Sequence, residues 1–322
     1  WTDFIQGSVL LVGVTFALLY LAHGIDGGFG AIFSTMGQGK FLAADQPIFN
    51  PNILKDSVFL LIVGAGLNTC SSYVSSQDIV QRFTTTTDMK KLNKMMLTNG
   101  ALSIFIATVF YLIGTGLYVF YSQNALPPAA QQDQIFASYI AYQLPVGITG
   151  ILLAAIYAAS QSTLSTGLNS VATSWTLDIQ ERLSKKEMSF ALQTKIAQYV
   201  SLGVGIVAIG VSMVLANGEI KSAYEWFNGF MGLVLGVLGG TFALGTFTKI
   251  ANAKGAYVAF FVAAITMVCI KYMAPAGAVS IWSYSIISIA ISLVVGIPVS
   301  IITRKMDGDG SKPVADSTIY HN

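Results

Sequence analysis

Eight apolar runs, each long enough for a helix to cross a bilayer, which takes ~20 residues, follow one another along the chain. They fall at about Trp1–Leu21, Ser57–Phe83, Leu97–Tyr121, Pro145–Ile179, Thr194–Leu215, Trp226–Phe247, Gly255–Tyr272 and Ile281–Thr303. Hydrocarbon offers no water to satisfy a backbone N–H or C=O, so a spanning segment is either a helix or a strand of a closed barrel. Unbroken runs of this length select helices. Composition agrees: hydrophobic residues make up 54% and charged residues 10% of the chain, where soluble domains carry about a quarter charged. The expectation is an all-α polytopic membrane protein whose first partner is the lipid bilayer, with a transmembrane domain over residues 1–305 and a C-terminal tail over 306–322.

Charge placement orients the spans. The loops after the second, fourth, sixth and eighth spans hold Arg82, Lys90, Lys91, Lys94, Arg182, Lys185, Lys186, Lys195, Lys249, Lys254, Arg304, Lys305 and Lys312, thirteen of the 17 basic residues. The excess of Lys and Arg in short cytoplasmic loops places these inside. The other loops, with Lys40, Lys55, Lys221, Lys271 and the Pro- and Gln-rich stretch Asn124–Gln134, are then outside. A net charge of +2 gives no reason to expect a nucleic-acid partner, and nothing in the sequence marks a protein partner. Cys70 and Cys269 both fall inside apolar runs, where they read as buried small hydrophobes and not as a disulfide framework.

The fourth run is the unusual one. Its middle reads AASQSTLSTGLNS, so Ala159, Ser162, Thr163 and Thr166 share one helical face, overlapped by Ser165. Two readings fit a column of hydroxyls at membrane depth. Small residues let helices pack closely, and Ser or Thr can bond back to the i−4 carbonyl. Alternatively, hydroxyl and carbonyl oxygens are what a hard cation such as sodium takes as ligands. Spacing alone leaves both open.

Three further features bear on the choice. Asp3, in WTDFIQG, opens the first apolar run, and a carboxylate at depth costs several kcal/mol unless paired or hydrated; a position at headgroup level is its other reading. His23 at the far end of that run reads as a solvated interface residue. The second run is rich in weak helix formers, from Gly64-Ala-Gly66 through Asn68, Thr69, Ser71, Ser72, Ser75 and Ser76. A discontinuous helix beside a cavity and an intact polar helix inside the bundle both remain open; Thr69 and Ser72, near the expected break, are candidate cavity-lining residues. The sixth run carries Gly229, Gly232, Gly236, Gly239 and Gly240, a small-xxx-small pattern that favours close helix packing.

Taken together, WTDFIQG, then SSQDIVQRF, then AASQSTLSTGLNS followed by TLDI, in that order, resemble the sodium/solute symporter family. The resemblance runs from Trp1 to about Lys305 and within the family is best with bacterial sialic acid carriers. It implies a LeuT-type inverted-repeat fold in which the first run is the fifth core helix and Pro145–Ile179 the eighth. The chain would then be partial, covering core helices 5 to 10 plus two C-terminal spans, with an N-terminal portion carrying core helices 1 to 4 expected before Trp1.

The resemblance also implies two sodium sites. The first uses the Ala159 carbonyl with the Ser162 and Thr163 hydroxyls, completed by carbonyls of the first core helix; Thr163 stands where many members have Ser. The second uses Asp3 with Ser162, Ser165 and Thr166. The implied function is sodium-coupled secondary active import of a small organic solute across the bacterial plasma membrane, with sialic acid the foremost substrate. Symport of a sugar, proline or pantothenate, or a passive channel, are the alternatives. No nucleotide-binding, kinase or metalloprotease motif suggests an enzyme.

Overall fold

The computed structural model describes residues 1–37, 47–52, 54–125, 133–184, 188–216, 223–275 and 278–306, which contain helices and connecting turns and no strand. In chain order the helices are α1 (Thr2–His23), α2 (Gly28–Thr35), α3 (Val58–Ser75), α4 (Gln77–Phe83), α5 (Met89–Gln123), α6 (Gln134–Tyr142), α7 (Val146–Thr173), α8 (Glu181–Ser184), α9 (Phe190–Ala216), α10 (Ala223–Phe247), α11 (Ala253–Met273) and α12 (Ser283–Met306). Between α7 and α8, Ser174–Gln180 is one stretch of wider π-helix. Eight of these helices are long and apolar enough to cross a membrane, at the places where the apolar runs fall. The expected tail beyond residue 306 and part of the Asn124–Gln134 loop lie outside the described residues.

The chain divides into two compact units, one formed by residues 1–41 and 81–222, the other by 42–80 and 223–322. In the first unit, α1 packs against α5 and α7, and α7 in turn against α9. Its core joins Val14, Ala17, Leu18 and Leu21 of α1 to Ile113, Leu117 and Phe120 of α5, Tyr139 of α6 and Leu152 of α7. The turn from α1 into α2 uses Gly27 and Gly28 at φ 89° and 52°, a region costly for residues with a Cβ. That turn is pinned to the end of α5 by the Gln123 amide, which accepts from the Asp26 N–H at 2.9 Å and donates to the Asp26 carbonyl at 3.2 Å. Tyr139, on α6, is 1% exposed against Phe120. Burial first, then the neighbouring Tyr20 and Tyr121 phenols, pushes its own phenol well above the usual tyrosine range.

In the second unit α10 packs against α3, α11 and α12. Its glycines make the approach close: a Cβ on Gly236 would stand 3.0 Å from the Ser288 hydroxyl, and one on Gly239 or Gly240 would collide with Ser71 or Ser292. Asn252 caps α11, accepting from the Gly255 N–H at 2.8 Å, and its Nδ2 donates to the Thr303 hydroxyl at 2.9 Å, tying the start of α11 to the end of α12.

Three local expectations are corrected. The second run is discontinuous, but it breaks at Ser76, whose extended backbone (φ −79°, ψ 120°) separates α3 from α4. The Gly64–Ser75 stretch is regular helix, held by packing: Gly64 abuts the Trp282 carbonyl and Ser71 abuts Gly239, so tertiary contact overrides weak propensity. The helix of the third run, α5, begins at Met89, eight residues before the apolar run, because the Asp88 carboxylate accepts from the Lys90 N–H at 2.9 Å and starts it in polar sequence. Both cysteines are free, but they are exposed and not buried, on the outer faces of α3 and α11; an apolar thiol suits a helix face turned to a membrane as well as it suits a core.

Candidate functional site

The seam between α1 and α7 brings Asp3 to the hydroxyl column. Ser162 Oγ donates to Asp3 Oδ1 at 2.5 Å, across 159 residues of sequence. Ten residues along, Gly13 of α1 meets Leu152 of α7, where a Cβ would sit 3.0 Å from Leu152 Cδ1. The two contacts run in opposite order along the two helices, so α1 and α7 are antiparallel and their register is set. Small residues on this face of α1, Gly13 and, one turn on, Ala17, are what allow two backbones to come this close.

Within α7 every hydroxyl proton of the column is already given away. Thr163 Oγ1 donates to the Ala159 carbonyl at 3.1 Å. Ser165 Oγ and Thr166 Oγ1 both donate to the Ser162 carbonyl, at 2.9 and 3.0 Å. Ser160 and Ser170 bond back to Ile156 and Thr166 in the same way. Hydroxyls committed in this way present only oxygen lone pairs outward. Asp3 itself has no basic partner among the described residues, and its one hydrogen bond is the one from Ser162. Ser162 and Thr166 are partly buried, whereas Asp3, Thr163 and Ser165 are exposed. The arrangement is thus a row of acceptor oxygens with one carboxylate, open on one side and free of competing ammonium or guanidinium groups.

Hydrogen bonds therefore join four of the candidate residues, Asp3, Ser162, Ser165 and Thr166, and separately Thr163 with Ala159 on the adjoining turn of α7. Thr69 and Ser72 belong to the other unit and lie in unbroken α3. Thr69 is exposed, and Ser72 faces Ser76 with hydroxyls 3.4 Å apart. The break in this run lies at Ser76, one turn past Ser72.

Two features escaped sequence reasoning. The π-helical stretch Ser174–Gln180 widens the helix just past the hydroxyl column, and Thr176 within it is 3% exposed with its hydroxyl unpartnered. Gln6, one turn from Asp3, buries its Oε1 without a hydrogen-bond partner. Its spacing from Asp3 in WTDFIQG was the available signal.

Helices of membrane length, with a carboxylate meeting hydroxyls between α1 and α7, define a membrane protein, and an ionisable group so placed is the usual mark of an ion or solute path. Comparison with known proteins makes this specific. The sequence model of the sodium:solute symporter family matches residues 1–263, and the chain belongs to that family. It is 33% identical over 275 residues to the sodium/sialic acid symporter of Proteus mirabilis, covering 84% of this chain and 55% of that protein. With the sodium/sialic acid symporter of Aliivibrio fischeri it is 30% identical over 299 residues, covering 92% and 58%. A solved structure of a Na+-coupled sialic acid symporter, in a substrate-bound outward-open state with a novel Na+ site, matches with a TM-score of 0.81 at 30% identity, covering 94% of this chain and 61% of that one. The chain thus spans somewhat more than half the length of these relatives. The fold class is the all-α, LeuT-type one that the sequence resemblance implied, and the chain is a multi-pass membrane protein.

Proposed function

We propose that the protein containing this chain is a sodium-coupled secondary active symporter that imports sialic acid by alternating access, moving two sodium ions per substrate. The observation that carries the reading is the Asp3–Ser162 contact within a column of hydroxyls whose protons are all committed elsewhere. Packing alone would not bring a carboxylate to that column, whereas a cation offsets the cost of holding one there. One sodium ion is assigned to Ala159, Ser162 and Thr163, and the other to Asp3, Ser162, Ser165 and Thr166. Sialic acid as cargo is supported by two relatives and one solved neighbour whose names state it. Cytoplasmic placement of the basic loops and of the tail at 306–322 belongs to the same reading.

The mechanism follows from linkage. Each sodium ion entering gains about 2.3 kcal/mol per 100 mV and about 1.4 kcal/mol per tenfold gradient. Two sodium ions with one monoanionic sugar acid carry one net positive charge inward, so uptake is electrogenic. Sodium must favour the outward-open state over the inward one, since an ion that binds both equally shifts nothing. The deciding experiment is uptake of labelled sialic acid into proteoliposomes by the full gene product. Accumulation above the outside concentration is expected only with an inward sodium gradient, and to rise with an inside-negative potential. Equal uptake in sodium and potassium would overturn the coupling; sodium-driven uptake of proline or hexose, with none of sialic acid, would overturn the substrate.

A further inference from the structure

Four buried polar atoms lack a hydrogen-bond partner among the described residues: Gln6 Oε1, Tyr121 OH, Thr176 Oγ1 and Ser292 Oγ. Three are hydroxyls, each carrying a proton that rotates to suit its surroundings. Gln6 Oε1 differs, being a pure acceptor that only a donor or a cation can satisfy.

Its position is set by α1. Asp3, Gln6, Leu10, Gly13 and Ala17 recur at alternating intervals of three and four residues, the spacing of one helical stripe. Gly13 and Ala17 are buried in the helix contact, and Leu10 packs against the same core. With Asp3 opposite Ser162 and Gly13 opposite Leu152 in antiparallel order, Gln6 comes level with Ala159. By that register the unpartnered oxygen lies on the face of α1 that meets α7, one turn from the carboxylate and at the level of Ala159.

None of the four hydroxyls of the column, among the described residues, offers it a proton. The Ser162 proton goes to Asp3, the Thr163 proton to the Ala159 carbonyl, and the Ser165 and Thr166 protons to the Ser162 carbonyl. Carboxylate, hydroxyl and amide oxygens thus gather along one seam with every nearby hydroxyl proton engaged, which is the donor pattern of a cation site and not of a hydrogen-bond network.

We propose that Gln6 Oε1 is a sodium ligand, completing the Asp3, Ser162, Ser165 and Thr166 set from the side that faces Ala159 and so linking the two ion positions. The proposal rests on the sodium reading above and adds a residue to it. A ligand role and a packing role predict opposite orders for two substitutions. Gln6→Met keeps the length and removes the oxygen; where the amide only fills space, Met relieves an unsatisfied acceptor and is harmless. Gln6→Glu keeps an oxygen and adds charge, which favours a bound cation but harms a packed seam beside Asp3.

The test uses the full gene product in proteoliposomes and in detergent. Half-saturating sodium for uptake is measured for wild type, Gln6→Met and Gln6→Glu, together with the melting temperature in sodium and in potassium without substrate. The expected result is a half-saturating sodium concentration raised about tenfold in Gln6→Met, a loss of about 1.4 kcal/mol in binding. Its potassium melting temperature should be equal to or above that of wild type, while Gln6→Glu stays at or below the wild-type sodium requirement. Wild-type sodium affinity in Gln6→Met, with a weakened Gln6→Glu, would overturn the ligand role while leaving the sodium reading standing. Absence of any sodium effect on wild-type uptake and melting would remove that reading and the Gln6 assignment with it. Should Gln6→Met fail to fold, Gln6→Leu and Gln6→Asn take its place, and the ligand role then requires Asn to retain more sodium affinity than Leu.

Discussion

Two helices in this chain carry rows of small hydroxyl residues, and the two rows meet different neighbours. On α12, Ser285, Ser288, Ser292 and Ser300 are at most 2% exposed. They press against glycines: Ser288 against Gly236, Ser292 against Gly240, and Ser300 against Gly255. On α7, Ser162, Thr163, Ser165 and Thr166 are exposed or half-buried, and a Cβ added at Gly147, Gly150 or Gly167 of the same helix would meet nothing within 4 Å. What faces the α7 row is a carboxylate instead of a glycine. A hydroxyl row is thus a packing device where glycine meets it, and an ion-binding candidate where an acid meets it across an open seam.

That contrast can be broken by exchanging readouts between the rows. The largest effect is expected from Ser162→Ala, which should abolish sodium-dependent uptake in proteoliposomes while shifting the melting temperature little; retained sodium affinity would reduce the α7 row to packing. Next, Gly240→Val on α10 should destabilise the second unit by about 3 kcal/mol, the upper range for overpacking a close contact, seen as a lowered melting temperature or loss of monodisperse protein. A normal melting curve would show that the α10–α12 contact is looser than the Gly240–Ser292 approach indicates. Asp3→Asn is a smaller change: the sodium Hill coefficient should fall from about two towards one with substrate recognition nearly intact at saturating sodium, and an unaltered coefficient takes Asp3 out of the second ion's site. The smallest effect belongs to Ser292→Ala. Its hydroxyl has no partner, so stability should stay within about 0.5 kcal/mol and sodium dependence should not move; a changed sodium requirement would mean that the α12 row is not packing alone.

The extent to which the site was legible in the sequence differs residue by residue. Ser162, Ser165 and Thr166 were visible because they are neighbours on one helix, and their i, i+3, i+4 spacing survives in the structure as two hydroxyls on one carbonyl. Asp3 was legible from its own segment only as a costly charge; its grouping with Ser162 came from the family resemblance, because no local pattern links positions 159 residues apart. Thr69 and Ser72 were chosen from weak helix propensity, which the contact of α3 with α10 overrides. Gln6 was passed over because an amide near the end of an apolar run has no meaning until its acceptor is found buried and unpartnered. The early start of α5 was hidden for a related reason: hydropathy sees only its apolar part, while a carboxylate cap starts the helix in polar sequence.

Length and hydropathy alone were enough to determine eight membrane-length helices and their order, because burying backbone in lipid leaves a chain of such runs almost no other choice. Ordered motifs added the family. Which hydroxyls are sealed against glycine and which stand open beside an acid was decided only by the tertiary structure, since burial depends on the surface of the neighbouring helix, and that neighbour is supplied by distant sequence.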